Sequence, residues 1–374
     1  MPPHLILGRT VRRSLAVIML GFSLPFFGPF AAAAASPTFR QGINISHWLS
    51  QNYPERPYAA DWFGESDVAW IADQGFDHIR FPIDGRLWLQ ADGSLDESKI
   101  KPFEQALAWA RARDLGVILD MHFLPGASFD PTAQESSLFT DRTLQHDVAN
   151  FWRHVARRFA DADAGLRFEI LNEPVAEENQ QLNALNRVLL AAIRESNPTR
   201  TVYLTSNRWS GFSTLSDVVL PDDPHVALTL HYYEPMIFTH QRASWVEFPD
   251  DMPVVTFPGT APDLTGTVRA DHWVLQSAGH ALTAAAIEAD FIRVARWVKQ
   301  QAPDVEVHIG EFGVYDKAPD DSRERWTKAV RESCERHGFG WAVWDYRGGF
   351  AVRDAAGEGT AILQGLFPPK RATP

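Results

Sequence analysis

Eight short, strand-like apolar runs constrain the fold of this chain more than any other feature, and most of them are followed by a segment with helical patterning. A run that is apolar throughout is typical of a parallel-sheet strand, because such a strand is covered on both faces. The runs are Gly42–Ser46, His78–Ile83, Val117–His122, Arg167–Glu173, Val202–Asn207, Val226–Tyr233, Val305–Phe312 and Gly340–Tyr346.

The segments between the runs predict helices. In Gln145–Ala160 and Ala285–Gln300 the apolar residues follow the three-and-four spacing of one helix face. Further helical candidates lie near Phe103–Arg113, Leu182–Arg194 and Ser322–Arg336. Strands that alternate with helices imply βαβ units, and eight repeats in about 300 residues match a closed barrel better than an open sheet. We therefore predict an α/β protein whose single catalytic domain is a (β/α)8 TIM barrel.

Two intervals between runs are longer than one helix requires. The interval between Tyr233 and Ala284 predicts a long loop after the sixth strand, and Leu124–Thr143 predicts a smaller loop after the third. No Gly-x-Gly-x-x-Gly follows the first run, which disfavours a dinucleotide-binding fold.

The first 35 residues have the pattern of an export signal. A basic start precedes the apolar stretch Leu15–Phe30, and Ala31–Ala35 supply small residues for a cleavage site. The apolar stretch is too short for a comfortable transmembrane helix. We predict a signal peptide at residues 1–35 and a catalytic domain at residues 36–374, exported to the periplasm or the extracellular medium. Arg12-Arg13 leaves a twin-arginine route open beside the general secretory route.

Composition excludes several classes of partner. The net charge of −12 argues against nucleic acid and against an anionic membrane surface. Cys334 is the only cysteine, so no intrachain disulfide forms, and its helical surroundings indicate a buried structural thiol. No second long apolar stretch occurs, so we expect no membrane anchor, and we expect a monomer.

Polar side chains stand at or near the ends of six of the predicted strands. They are Arg80, His122, Asn172, Glu173, His231, Tyr233, Glu311 and Trp344. Because the carboxyl ends of barrel strands converge on one face, we expect these side chains to share one pocket.

This mixture suits the cleavage of a glycosidic bond. One carboxyl must protonate the departing oxygen, and another must attack or activate water. Glu173 and Glu311 supply the pair, and their surroundings must differ because their pKa values must differ. Arg80 and Tyr233 are suited to holding one carboxylate ionised. Structural roles remain open as alternatives, such as neutralisation of the buried acid Glu169 by Arg80.

Three polar residues inside the strand runs have a different expected role. His78, Asp120 and His308 do not stand at strand ends, and we expect them to be structural.

The motifs resemble those of glycoside hydrolase family 5, the cellulase family of clan A. The matching segments are Ile79-Arg80-Phe81-Pro82 after Gly75-Phe76, Asp120-Met121-His122, Asn172-Glu173-Pro174, His231-x-Tyr233, Glu311-x-Gly313 and Trp344. The resemblance extends from about Gly42 to Trp344, and the segment from His231 to Gln241 is most similar to the endoglucanase-type branches.

This resemblance implies an endo-β-1,4-glucanase that acts with retention on β-linked glucan, without a cofactor or a catalytic metal. Glu173 would be the acid/base and Glu311 the nucleophile, about 5–5.5 Å apart as carboxyl groups. Arg80 and Tyr233 would orient and ionise Glu311. The remaining candidates would line the −1 sugar site, namely His122, Asn172, His231 and Trp344.

One departure and several alternatives limit how far the resemblance extends. The family's usual glycine after Phe238-Thr239-His240-Gln241 is Arg242 here, a side chain that would narrow the cleft or meet an acidic substrate. The same machinery would serve β-mannan, β-1,3-glucan or a bacterial exopolysaccharide. A non-catalytic sugar-binding barrel requires one glutamate to lie outside the pocket. Metal-assisted hydrolysis through His122 and His231 is disfavoured, because no His-Glu-x-x-His or comparable spacing occurs.

Overall fold

Eight parallel strands close into a barrel in the computed structural model, which describes residues 39–52, 58–90, 92–129 and 136–367. The predicted signal peptide lies outside these residues. The strands are β1 Gln41–Asn44, β2 His78–Asp84, β3 Gly116–Phe123, β4 Leu166–Glu169, β5 Val202–Thr205, β6 Val226–Tyr232, β7 Glu306–Phe312 and β8 Gly340–Val343. Each strand pairs with its neighbours in the chain, and β8 pairs with β1 to close the sheet. The predicted (β/α)8 barrel is confirmed.

Helices surround the barrel and occupy the predicted segments. The long ones are α1 Glu65–Gln74, α2 Glu97–Arg111, α3 Arg142–Arg158, α4 Asn179–Arg194, α5 Ala284–Gln301 and α6 Asp320–His337. Short helical segments cover Gly85–Trp88, Ser137–Phe139, Asn207–Ser210, Phe212–Asp217, Met236–Thr239, Trp273–Ser277 and Ala361–Leu366.

Helix α3 shows how local sequence determines these elements. Asp141 precedes the helix and accepts hydrogen bonds from the backbone N–H groups of Thr143 and Leu144, which have no partner within the helix. The apolar face of α3 packs on the barrel, where the ring of Trp152 lies 5.6 Å from that of Phe168 on β4. Burial of such aromatic rings supplies much of the free energy that holds helix to sheet.

The interior of the barrel contains polar side chains towards both of its ends. Arg80 on β2 contacts residues of β1, β4 and β7, so it points inward across the barrel. At the opposite end of the barrel, Nε2 of His78 on β2 lies 2.9 Å from Nε2 of His308 on β7. Both contacts pair an inward polar group with a group on another strand, which reduces the cost of burial.

The long segment after β6 contains a short antiparallel ribbon between Gly259–Thr260 and Ala281–Leu282. This segment agrees with the predicted long loop. The predicted loop after β3 is described except for residues 130–135. No helix in the described part of the chain is long and apolar enough to span a membrane.

Five strands, namely β1, β4, β5, β6 and β8, end one to four residues earlier than their apolar runs predict. Strand β4 ends at Glu169 rather than at Glu173, although the N–H of Ile170 still bonds the carbonyl of Tyr203. Glu173 has φ 36°, in the left-handed region, which a continuing strand does not adopt. Strands β5 and β8 end at Thr205 and Val343.

Candidate active site

Arg80 organises the carboxyl end of the barrel and is fully buried. Its Nε and Nη2 donate to the two oxygens of Glu169 at 2.8 Å each, which is a bidentate pair. Nη1 donates to Oδ1 of Asn44 at 2.9 Å and to Oε1 of Glu311 at 2.7 Å. Nη2 also donates to Oδ1 of Asn172 at 2.9 Å. One guanidinium therefore aligns side chains from four parts of the barrel.

Glu311 is held through both of its carboxyl oxygens. Arg80 bonds Oε1, and the hydroxyl of Tyr233 donates to Oε2 at 2.9 Å. The side chain of Glu311 is 5% exposed, so almost all of its contacts are with protein groups. Burial raises the pKa of this carboxyl, whereas the adjacent charge of Arg80 and the Tyr233 hydroxyl favour its ionised form.

Glu173 faces Glu311 across the pocket. Its Oε1 lies 2.9 Å from Nδ1 of His231, which is itself 3.6 Å from Oε2 of Glu311. One carboxyl oxygen of each glutamate and this nitrogen all lie within 4.8 Å of one another. The two glutamates share one pocket, contrary to what the sugar-binding alternative requires.

The two glutamates differ in their electrostatic surroundings. Burial raises the pKa of Glu173 well above its usual range, and the negative charge of Glu311 raises it further. No guanidinium or phenol in the described part of the chain bonds Glu173 directly, in contrast to Glu311. The arrangement favours a protonated Glu173 beside an ionised Glu311, which is the asymmetry that two-carboxylate catalysis requires.

The other predicted residues border the same pocket. Trp344 and His122 are stacked, with ring centroids 5.6 Å apart and planes inclined by 7°. The Nδ1 of His122 lies 2.8 Å from Asp120 Oδ2. Burial lowers the pKa of His122 to about 3 and that of His231 well below its usual range, so both imidazoles are neutral near pH 7.

Three side chains around Arg80 were missed as site residues by the sequence analysis. They are Asn44, Glu169 and Asp120, whose Oδ2 lies 3.0 Å from Nη2 of Arg80. The available signal was the two-residue period of a strand, since Asp120 and His122 are two apart and share a face. Asp120, for which a structural role is expected, contacts Arg80 from this inward face.

Few side chains in the pocket could bind a metal ion together. Among the described residues, the one group of three such side chains that converge is Glu173, His231 and Glu311. His122 does not belong to it. His231 contacts both glutamates, as expected for an imidazole that orients two carboxyl groups.

Two exposed tryptophans border the barrel top. Trp209 is 43% exposed, its indole N–H donates to the carbonyl of Phe129 at 2.8 Å, and its backbone N–H bonds the carbonyl of Pro174 beside Glu173. Trp245 is 60% exposed and contacts the ring of Tyr315. Both present flat apolar faces of the kind that stack on sugar rings.

Arg242 takes the left-handed conformation, with φ 59°, in which glycine is unstrained. Its side chain is exposed, and Nη2 lies 3.4 Å from the carbonyl of Met252. The backbone geometry explains why a glycine is usual at this position.

A closed (β/α)8 barrel with two carboxyl groups facing each other at the carboxyl ends of its strands is typical of a glycoside hydrolase. The chain belongs to the cellulase family, glycosyl hydrolase family 5, whose model matches residues 41–349.

Individual relatives agree with this assignment. Endoglucanase C of Acetivibrio thermocellus is 29% identical over 318 residues, which cover 83% of this chain and 92% of that protein. Among solved structures, the cellulose synthase subunit Z of Clostridioides difficile is 27% identical with a TM-score of 0.72, covering 88% of this chain and 99% of that one. Cel5A of Thermotoga maritima, solved with mannotriose, is 25% identical with a TM-score of 0.70, covering 88% and 97%.

Proposed function

We propose that this enzyme is an exported endo-β-1,4-glucanase that acts with retention, using Glu311 as nucleophile and Glu173 as acid/base. The observation that carries the proposal is the pairing of a doubly anchored Glu311 with a Glu173 whose nearest carboxyl oxygen lies within 4.8 Å. Retaining enzymes place their carboxyl groups about 5–5.5 Å apart, whereas inverting enzymes leave about 6.5–9.5 Å for a water molecule.

The proposed reaction proceeds in two displacements. In the first, an oxygen of Glu311 attacks the anomeric carbon, the glycosidic bond breaks, and Glu173 transfers its proton to the departing oxygen. The product is an ester between the sugar and Glu311. In the second, ionised Glu173 takes a proton from water, the water oxygen attacks the anomeric carbon, and Glu311 is released as a carboxylate.

The remaining pocket residues have supporting roles in this proposal. Arg80 and Tyr233 keep Glu311 ionised and aimed at the sugar. Asn172 keeps an Nδ2 group that bonds no other described residue, which leaves it free for a sugar hydroxyl. Trp344 and His122 supply the stacked surface of the −1 site.

A glucan substrate is supported by similarity to a relative named as an endoglucanase. The exposed face of Trp209 supports action on a chain longer than one sugar, because the Trp209 backbone bonds the carbonyl of Pro174, next to Glu173. β-Mannan, β-1,3-glucan and a bacterial exopolysaccharide are the competing substrates.

We also propose that residues 1–35 are removed on export and that residues 36–374 act as a monomer in the periplasm or outside the cell. The basic start, apolar stretch and small residues of that segment support this proposal.

Substitution of each glutamate tests the proposal. Glu311→Gln should lower turnover of cello-oligosaccharides about a thousandfold or more while oligosaccharide binding remains, because the amide is not a nucleophile. Glu306→Gln is a matched control on the same strand, at the end distant from the pocket, and should keep its activity. Substantial turnover by Glu311→Gln would contradict the assigned nucleophile.

Substrate choice is measured with cellopentaose, mannopentaose and laminaripentaose, with products separated by size. The proposal predicts that cellopentaose is cleaved fastest and at internal bonds. Faster cleavage of the mannan or the β-1,3-linked oligosaccharide would replace the glucan assignment.

A further inference from the structure

His231 is bonded at one nitrogen only. Its Nδ1 lies 2.9 Å from Oε1 of Glu173, whereas its buried Nε2 bonds no other described residue. A neutral imidazole carries one proton, and the partner of the other nitrogen determines where that proton stays. The environment of Nε2 therefore decides whether Nδ1 donates to Glu173 or accepts from it.

Thr229 supplies a second unpaired polar atom on the same side of Gly310 as this nitrogen. It is fully buried, and its hydroxyl likewise bonds no other described residue. Thr229 and His231 are two apart on β6 and share its inward face. Both border the same side of Gly310, where a methyl group would lie 2.5 Å from Oγ1 of Thr229 and 3.3 Å from Nε2 of His231.

Gly310 keeps this space open. The pairing of β6 with β7 shifts register between Leu230 and His231, so that His231 is opposite Glu311 and Gly310 is left between paired residues. Any larger residue at 310 would displace the Thr229 hydroxyl. The irregularity thus brings a hydroxyl and an imidazole together behind the catalytic pair.

We propose that Thr229 is a positioning residue for the acid/base, and this inference rests on the proposed function. Its hydroxyl is linked to Nε2 of His231 through one bound water molecule, which donates to that nitrogen and so keeps the imidazole proton on Nδ1. The Nδ1–H group then donates to Oε1 of Glu173. The acidic proton of Glu173 is thereby confined to Oε2, from which it is transferred to the leaving oxygen.

The opposite tautomer would be unproductive. With the proton on Nε2, the Nδ1 atom would accept the proton of Glu173 as a hydrogen bond and turn it away from the substrate. It would also stabilise the protonated carboxyl over the carboxylate, which raises the pKa of Glu173. We therefore expect loss of the Thr229 hydroxyl to slow proton donation. We also expect it to move the alkaline limb of the pH profile of kcat/KM to higher pH.

Other titratable or charged groups face this pair and are the same in the wild type and the Thr229 variants. They are Arg80 from β2, Asp120 and His122 from β3, Glu169 from β4, Tyr233 after β6, and His308 and Glu311 from β7. A substitution confined to the Thr229 hydroxyl leaves all of them in place. A shift in the alkaline limb of the pH profile would therefore reflect a change in the His231–Glu173 contact.

The direct test uses the wild-type enzyme labelled with ¹⁵N-histidine. NMR shifts of the two ring nitrogens identify the tautomer, and the His231→Asn variant assigns the signal by its disappearance. A protonated Nδ1 on His231 at neutral pH is the expected result. A protonated Nε2 would overturn the proposal without any need for a Thr229 variant.

Kinetics of Thr229→Val give a second readout. With cellotetraose, kcat/KM should fall about tenfold, within the range that general acid catalysis contributes, and the alkaline limb should move up. With dinitrophenyl β-cellobioside, whose leaving group needs no proton, kcat/KM should be kept. Thr229→Ser should restore both kcat/KM with cellotetraose and the position of the alkaline limb. Thr327→Val, which removes another buried hydroxyl, in α6, should match the wild type.

Failure of this inference is distinguishable from failure of the proposed function. If Glu173 is the acid/base, Glu173→Ala keeps its kcat/KM on the dinitrophenyl substrate and azide accelerates its turnover. That result together with an unchanged profile for Thr229→Val would reject the role of Thr229 alone. Loss of activity on both substrates by folded Glu173→Ala would reject the acid/base assignment itself.

Discussion

At the scale of single residues, Arg80 provides one positive charge for three buried carboxyl groups. Asp120, Glu169 and Glu311 all lie within 3.0 Å of its guanidinium. Burial raises the pKa of Asp120 to about 7 despite this arginine, so Asp120 is partly protonated near neutral pH. The guanidinium charge is thus available to favour ionisation of Glu311.

Arg242 provides a prediction at the same scale. A non-glycine residue in the left-handed region costs about 1–2 kcal/mol, so Arg242→Gly should raise the free energy of unfolding by about 1 kcal/mol. Urea denaturation monitored by tryptophan fluorescence measures this change. Arg242→Ala is the control, because it removes the side chain but keeps the strained conformation. An equal gain in both variants would show that the guanidinium, and not the backbone, is responsible.

At the scale of elements, the predicted strands and helices are confirmed, but several strands do not end where the apolar runs predicted. Residues 170–172 are buried and apolar or amide-bearing, so nothing in their composition signals that β4 ends at Glu169. The left-handed turn at Glu173 results from tertiary contacts, such as the bond from the N–H of Asn172 to the carbonyl of Met121.

The loop after β5 illustrates the same limit. Arg208, Trp209 and Ser210 all have positive φ angles, between 56° and 58°. None of them is glycine, so local propensity predicts a different conformation. Because that turn presents Trp209 beside Glu173, the position of Trp209 was not predictable from local sequence, whereas the strand-end motifs predicted which side chains lie close together.

At the scale of the whole molecule, the buried histidine pair inside the barrel makes the free energy of unfolding dependent on pH. His78 and His308 pair near the amino ends of their strands, and burial lowers the pKa of both, that of His308 well below its usual range. In the unfolded chain they take up protons below about pH 6.5, whereas in the folded barrel they remain neutral. Their contribution to stability is therefore complete above about pH 6.5 and declines as the pH falls below it.

Substitution of His308 isolates this effect from the buried carboxyl groups, whose raised pKa values act in the opposite direction. His308→Asn should be less stable than the wild type at pH 7.5, and the difference should shrink on acidification by about 1.4 kcal/mol per pH unit. Urea denaturation between pH 7.5 and 4.5 measures it, with the exposed His154→Gln as control. Stability curves of His308→Asn that run parallel to the wild type would reject this account.

The central claim at this scale is that the barrel brings Glu311, on its seventh strand, to attack a sugar that Glu173, after its fourth, has activated. Incubation with dinitrophenyl 2-deoxy-2-fluoro-β-cellobioside slows release of the sugar ester, so that the intermediate accumulates. Mass spectrometry of the digested protein should then find one fluorocellobiosyl unit on the peptide that contains Glu311, at that residue. A sugar attached to Glu173, or no covalent adduct in enzyme that still hydrolyses cello-oligosaccharides, would contradict the account.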